Sequence, residues 1–117
     1  MAAILVFYQK PACTTCRKAK ALLELLHLEF TSRDLDKQSL SEAELDALIG
    51  DRDYTAFLNT RNVLYRERKM SVKKPSRPQA LELMAKHPNL IRRPLLVHGS
   101  GIILGLDEAA YRRLAKR

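Results

Sequence analysis

The chain has 117 residues, 46% hydrophobic and 29% charged, the size and balance of one soluble globular domain rather than of a disordered chain. No apolar run reaches the roughly 18 residues of a membrane span, and Ala2–Tyr8 lacks both the length and the basic flank of a signal peptide, so a cytoplasmic protein without membrane association is expected. Two cysteines are too few for a disulfide scaffold, while the net charge of +8 is segregated, with 14 basic and 4 acidic side chains in residues 59–117.

That basic half favours an anionic substrate or partner, or else forms a solvated surface. In chain order, Ala3–Tyr8 is a continuous apolar run, expected as a strand buried on both faces. Lys10-Pro11-Ala12 interrupts it, and Ala19, Leu22, Leu23 and Leu26 then recur at helical spacing from Thr14 onward. Glu29–Leu35 reads as a second, partly exposed strand, closing a β-α-β unit whose crossover places the two strands parallel.

Leu40-Ser41-Glu42-Ala43-Glu44-Leu45 is a helix start: Ser41 caps, Glu44 reaches back, Leu40 staples onto Leu45, and Gly50 ends the helix. A second start lies at Ser76, with Pro78 in the first turn and Gln79 three residues on; that helix stops before Pro88. Tyr54–Arg68 between them reads as helical with weaker punctuation. Leu95–His98 and Ile102–Leu104 flank Gly99-Ser100-Gly101 as a hairpin, and Asp107 caps a last helix whose final turn carries Arg112, Arg113, Lys116 and Arg117. The expected architecture is α/β: one domain over residues 1–117, βαβ then ββα in a mixed sheet, with a helical insertion around 41–87.

The chemistry is expected at Cys13-Thr14-Thr15-Cys16. After a strand and at a helix start, Cys13 falls on the N-cap, where unpaired backbone N–H groups and the positive end of the dipole favour a thiolate. A free thiol with pKa near ~8.5 is only about 3% ionised at pH 7; a pKa of about 6.5 would give roughly 75% and requires about 2.7 kcal/mol. A helix end supplies roughly 0.3–1 kcal/mol, so further cations are needed; Lys10, Arg17 and Lys18 flank the motif. Cys13 is thus the nucleophile, and Cys16, one turn into the helix, the resolving thiol. A zinc site would need two more ligands from His27, His87 and His98, without a second C-x-x-C or a paired-His spacing. No metal and no bound cofactor are expected.

Arg93 precedes Pro94 at a strand start, so its guanidinium projects from a fixed backbone and suits an oxyanion; Arg92 reads as an exposed charge. From Arg61 to Arg77 seven cations stand against Glu67 alone, yet with Tyr65 as the only aromatic and no reader motif, nucleic-acid binding is not expected.

Pro11-Ala12-Cys13-Thr14-Thr15-Cys16-Arg17-Lys18, Leu58-Asn59-Thr60-Arg61, His87-Pro88-Asn89-Leu90-Ile91-Arg92-Arg93-Pro94 and Leu104-Gly105-Leu106-Asp107-Glu108 together resemble the arsenate reductase-like (ArsC/Spx) family over essentially the whole chain. The resemblance implies a thioredoxin-like, glutaredoxin-like fold, a cis Pro94 at the site, Cys13 as nucleophile, and Arg61 and Arg93 as anion-binding residues, with Arg17 beside them. It also implies an external thiol reductant, either glutathione/glutaredoxin or thioredoxin, and a small oxyanion or disulfide as substrate. In glutathione- and glutaredoxin-coupled arsenate reductases the position matching Cys16 is generally not Cys, and a third arginine follows the hairpin where this chain reads Gly101-Ile102-Ile103-Leu104-Gly105. The C-x-x-C and Gly105-Leu106-Asp107-Glu108 are closer to the Spx-type branch, redox-sensing regulators of RNA polymerase. The expected function is therefore a monomeric thiol-disulfide or arsenate-type reductase, with an Spx-like regulator that binds RNA polymerase as the alternative.

Overall fold

The computed structural model describes Leu5–Lys116. The start of the predicted first strand, Ala3 and Ile4, and Arg117 of the predicted final turn lie outside the described residues. The chain divides into two compact units, one made of Met1–Leu35 and Arg93–Arg117, the other of Asp36–Arg92.

In the first unit, β1 (Leu5–Gln9) pairs parallel with β2 (Phe30–Asp34), Leu5 opposite Phe30 and Gln9 opposite Asp34. On its other side β1 pairs antiparallel with β3 (Leu95–His98), which turns back into β4 (Gly101–Leu104). The sheet order is β2-β1-β3-β4. Helix α1 (Thr14–Leu25) supplies the crossover, and the C-terminal helix (Glu108–Ala115) packs against it. This mixed sheet with its βαβ and ββα halves is the thioredoxin-like arrangement. Phe7, Ala19, Leu23, Leu96 and Tyr111 form the fully buried centre of its core.

The first strand differs from expectation on one face. Leu5 and Phe7 are buried, but Val6 and Tyr8 are only half-buried, and the Arg33 guanidinium lies 5.7 Å over the Tyr8 ring. Apolar residues on the half-covered face hide the alternation that a half-exposed strand normally shows. At the hairpin, His98 pairs with Gly101 across the two-residue loop Gly99-Ser100. Gly99 has φ 58, the left-handed first position of a type II′ turn. A Cβ at Gly101 would meet the His98 ring, which would have to turn aside.

The second unit contains α2 (Glu42–Ile49), α3 (Val63–Glu67) and α4 (Arg77–Lys86); the C-terminal helix is therefore α5. Both expected capping boxes are present. Ser41 Oγ accepts from Glu44 N–H at 3.1 Å and Glu44 accepts from Ser41 N–H at 3.1 Å; Ser76 and Gln79 make the same reciprocal pair. Leu40 and Leu45 are both buried, and Gly50 closes α2 at φ 52. Helix α2 packs on α4, where Arg77 forks onto Asp46 Oδ1 at 2.7 Å and the Gly50 carbonyl at 3.1 Å.

Tyr54–Arg68 is not one helix. A 3-10 turn covers Tyr54–Phe57, α3 covers only Val63–Glu67, and residues 58–62 between them are non-helical. The cause is local. Asp53, Asn59 and Asn62 each accept the backbone N–H two residues on, at 2.9, 3.1 and 2.9 Å, in Asx turns that cap the 3-10 turn at Asp53, interrupt the run at Asn59 and restart it as α3 at Asn62. Leu58 and Asn59 are drawn instead toward residues 90–91, through a Leu58–Ile91 bridge and Asn59 N–H to the Leu90 carbonyl at 2.7 Å.

Candidate functional site: a thiol pair at a helix start

The loop that leaves β1 is closed by Cys13 N–H donating to the Lys10 carbonyl at 3.0 Å, and Arg17 N–H to the Cys13 carbonyl at 3.0 Å then begins the helical ladder. Cys13 sits at φ −81 and ψ 121, the extended geometry of an N-cap, and its Sγ accepts the Cys16 N–H at 3.4 Å. The first turn of α1 contains no acidic side chain to neutralise the positive helix end. Cys13 is half-buried; Cys16 is buried, and both are free thiols.

The sheet brings in the cation. Tyr8 pairs with Leu95, so continuing the antiparallel register sets Arg93 and Pro94 beside Gln9 and Lys10, just ahead of Cys13. The Arg93–Pro94 peptide is cis, and the Pro94 carbonyl is held by Gly105 N–H at 2.8 Å. Half-buried Arg93 hydrogen-bonds to the Cys13 sulfur.

The two thiols are displaced in opposite directions. Partial burial raises the Cys13 pKa, but the Cys16 N–H, the Cys16 thiol and the hydrogen bond and charge of Arg93 outweigh it, leaving Cys13 below the ordinary thiol value. Burial pushes Cys16 up to about 11, and the negative charge of Cys13 pushes in the same direction; the Lys10 N–H and Arg93 oppose both only in part. A thiolate at Cys13 therefore coexists with a protonated Cys16 that donates to it.

The other residues singled out from the sequence lie as follows. Arg17 is exposed and directs its guanidinium to the Pro11 carbonyl and the Thr14 hydroxyl, each at 3.4 Å. Neither it nor Lys10 or Lys18 supplies the charge that lowers Cys13; Arg93 does. Arg61 belongs to the second unit, exposed in the turn before α3, its N–H donating to Asn59 Oδ1 at 3.1 Å and its carbonyl accepting from Arg66 at 3.0 Å. Among the described residues no group of three or more His, Cys, Asp or Glu side chains gathers as a metal cluster, and no helix is long and apolar enough to cross a membrane.

Tyr111 was not legible as a neighbour of the motif. It is fully buried in the core, its hydroxyl donates to the Gly105 carbonyl at 3.3 Å, and burial followed by the charges of Cys16 and Asp107 raises its phenol. Its i, i+3 spacing to Leu114 puts it on the core face of α5 and marks it only as a core residue.

The ArsC family model matches residues 8–114. Among relatives, the global transcriptional regulator Spx of Enterococcus faecalis is 32% identical over 116 residues, covering 97% of this chain and 88% of that protein. The YusI protein of Bacillus subtilis is 38% identical over 111 residues, covering 92% and 94%. The solved arsenate reductase of Vibrio cholerae superposes with a TM-score of 0.82 at 26% identity, covering 97% of this chain and 99% of its own. The family model spans nearly the whole chain, and the chain belongs to the ArsC family.

Proposed function

We propose that the protein is a thiol-dependent reductase acting on a disulfide or a small oxyanion, with Cys13 as nucleophile and Cys16 as resolving thiol. The observation that carries this is the placement of half-buried Cys13 at the N-cap of α1, its Sγ accepting the Cys16 N–H at 3.4 Å, with the buried Cys16 thiol one helical turn on. With a disulfide substrate, the Cys13 thiolate attacks one sulfur, the substrate S–S bond breaks, and the departing thiolate takes up a proton from water. A mixed disulfide at Cys13 carries no charge. The negative charge that helped hold the Cys16 proton is then gone, while Arg93 and the Lys10 N–H remain, so the Cys16 pKa falls at the moment its thiolate is required.

Cys16 then loses its proton and attacks Cys13 Sγ, forming the Cys13–Cys16 disulfide and expelling the second substrate thiolate. Two electrons pass to the substrate. Two must return from an external thiol, for which glutathione/glutaredoxin or thioredoxin are the candidates, in a reducing compartment such as the cytoplasm. Arg93 steadies the developing negative charge, and Arg61, matched to a family arginine, is a second anion-binding candidate. The test is a thiolate-absorbance titration of the wild type together with mass spectrometry of Cys16→Ser after exposure to glutathione disulfide. A depressed Cys13 titration and a stable mixed disulfide on Cys13 are expected; an ordinary titration with no adduct would overturn the reading.

A second reading rests on the similarity to a protein named as a global transcriptional regulator. In it the same thiol pair acts as a switch, and the chain binds RNA polymerase differently in its dithiol and disulfide forms. Co-purification with RNA polymerase in both redox states separates the two; no association in either state removes this one.

A further inference from the structure

The charge segregation read from the sequence has a definite place in the second unit. The stretch that follows α3 and the side of α4 enclose a groove of about 680 Å³, lined by Arg68, Lys69, Lys73 and Lys74 over a floor that includes Met70 and Leu83. The four cations are exposed, whereas Met70 is buried and Leu83 half-buried. Of the two carboxylates lining the groove, Glu82 is already held by Lys86 at 2.9 Å; Glu67 remains in the lining, and Asp53 outside it lies close enough for the Lys74 charge to lower its carboxyl. Val72, between the lysines in sequence, is 77% exposed. The groove is thus lined by four cations and only in part by the apolar Met70 and Leu83, and the cysteine pair, which lies in the other unit, accounts for none of it.

The backbone adds a second observation. Helix α3 ends in a Schellman motif, with Met70 N–H to the Tyr65 carbonyl and Lys69 N–H to the Arg66 carbonyl, both at 3.1 Å. The left-handed position of that motif, where glycine is the least strained residue, is held by Lys69 at φ 51. The motif fixes the backbone from which the Lys69 side chain enters the groove lining.

From these features we infer that the groove is a docking surface for an acidic, extended peptide segment of a partner protein, one that alternates carboxylates with apolar side chains. Carboxylates meet Arg68, Lys69, Lys73 and Lys74; apolar side chains meet Met70 and Leu83. A nucleic-acid strand is less well matched, since no aromatic side chain lines the groove for a base to stack on. A lipid surface is flat where this site is concave.

The experiment is fluorescence anisotropy of the full chain at low salt with a labelled peptide of alternating Asp and Leu. Saturable binding is expected, weakened about tenfold or more by Lys69→Glu/Lys73→Glu/Lys74→Glu. The control Lys20→Glu/Arg113→Glu/Lys116→Glu changes the net charge equally on exposed sites of the other unit and is expected to weaken binding less than about twofold. Lys69→Gly separates binding from folding: it should raise the melting temperature while weakening the peptide about two- to fivefold. Cys13→Ser should bind as the wild type does. Equal loss in the two triple variants, loss in Cys13→Ser, or stronger binding of a DNA duplex or of phosphatidylserine vesicles than of the peptide would each overturn the inference.

Discussion

Four helices among the described residues begin with a side chain accepting the backbone N–H three residues ahead; α5 does so through Asp107, and the other three use that position differently. At α2 and α4 the acceptor is a serine hydroxyl, Ser41 or Ser76, completed by a Glu or Gln that reaches back. At α1 the acceptor is the Cys13 sulfur, no reciprocal side chain is present, and the first turn lacks acidic residues. The two serine caps spend the helix end on holding the chain in place. The cysteine cap leaves the positive helix end available to a thiolate, and Arg93 supplies the charge that a helix terminus alone cannot. The capping bond from the Cys16 N–H is thus the largest influence lowering the Cys13 thiol, and the Cys16 thiol and Arg93 add to it.

The largest expected contrast comes from making the caps chemically alike. Cys13→Ser should abolish reduction of glutathione disulfide, measured by turnover with an excess of dithiol reductant, while the melting temperature stays at or above that of the wild type, because serine is a favoured N-cap. A fall of several degrees with the activity would mean that the sulfur also holds the fold. Next in size, Arg93→Met removes one hydrogen bond and one charge from the Cys13 sulfur but leaves the Cys16 N–H. The iodoacetamide rate at pH 7 should drop by about tenfold, the equivalent of roughly 1.4 kcal/mol. Its pH profile should move upward toward the ordinary thiol range. In the wild type Cys13 alkylates as its thiolate forms, below that range, whereas Cys16 reacts only as pH approaches 11. A profile unmoved by Arg93→Met would return the effect to the helix end.

How far all this was legible follows from the range over which each interaction acts. Ser41/Glu44, Ser76/Gln79, the Gly99-Ser100 turn and the Cys13 cap are written within a few residues, and each forms as its local pattern dictates. The identity of the cation at Cys13 was not local. Arg17 and Lys18 are neighbours in sequence, but the side chain that reaches the sulfur comes from Arg93, delivered by the β1–β3 pairing. Conversely, Tyr54–Arg68 misled because helical composition conceals three Asx turns, although Asp53, Asn59 and Asn62 were the visible signal.

The serine caps set the scale of the structural half of the comparison. Ser41→Ala or Ser76→Ala removes the acceptor of a helix N–H and should cost about 1 kcal/mol of stability, read by urea unfolding, with the Cys13 alkylation rate unchanged. If either substitution slows alkylation, the two halves of the chain are coupled through more than folding.

The smallest effect is expected at Tyr111, where core and site meet. Its hydroxyl donates to the Gly105 carbonyl at 3.3 Å from a fully buried position, so Tyr111→Phe keeps the packing and deletes one rather long hydrogen bond. The loss should be about 0.5–1 kcal/mol, a few degrees in melting temperature. The Cys16 charge raises the Tyr111 phenol, whereas Tyr111 shifts neither thiol, so the first alkylation should stay within about twofold of the wild type, against the roughly tenfold fall in Arg93→Met. Because burial is the principal cause of the raised Cys16 pKa, and Phe excludes water as well as Tyr does, Cys16 should also remain unreactive near neutrality. A Cys13 rate that fell as far as in Arg93→Met would show that the thiolate is sustained from the α5 side of the core as well as from the sheet, and the assignment of its stabilisation to the helix end and Arg93 would fail.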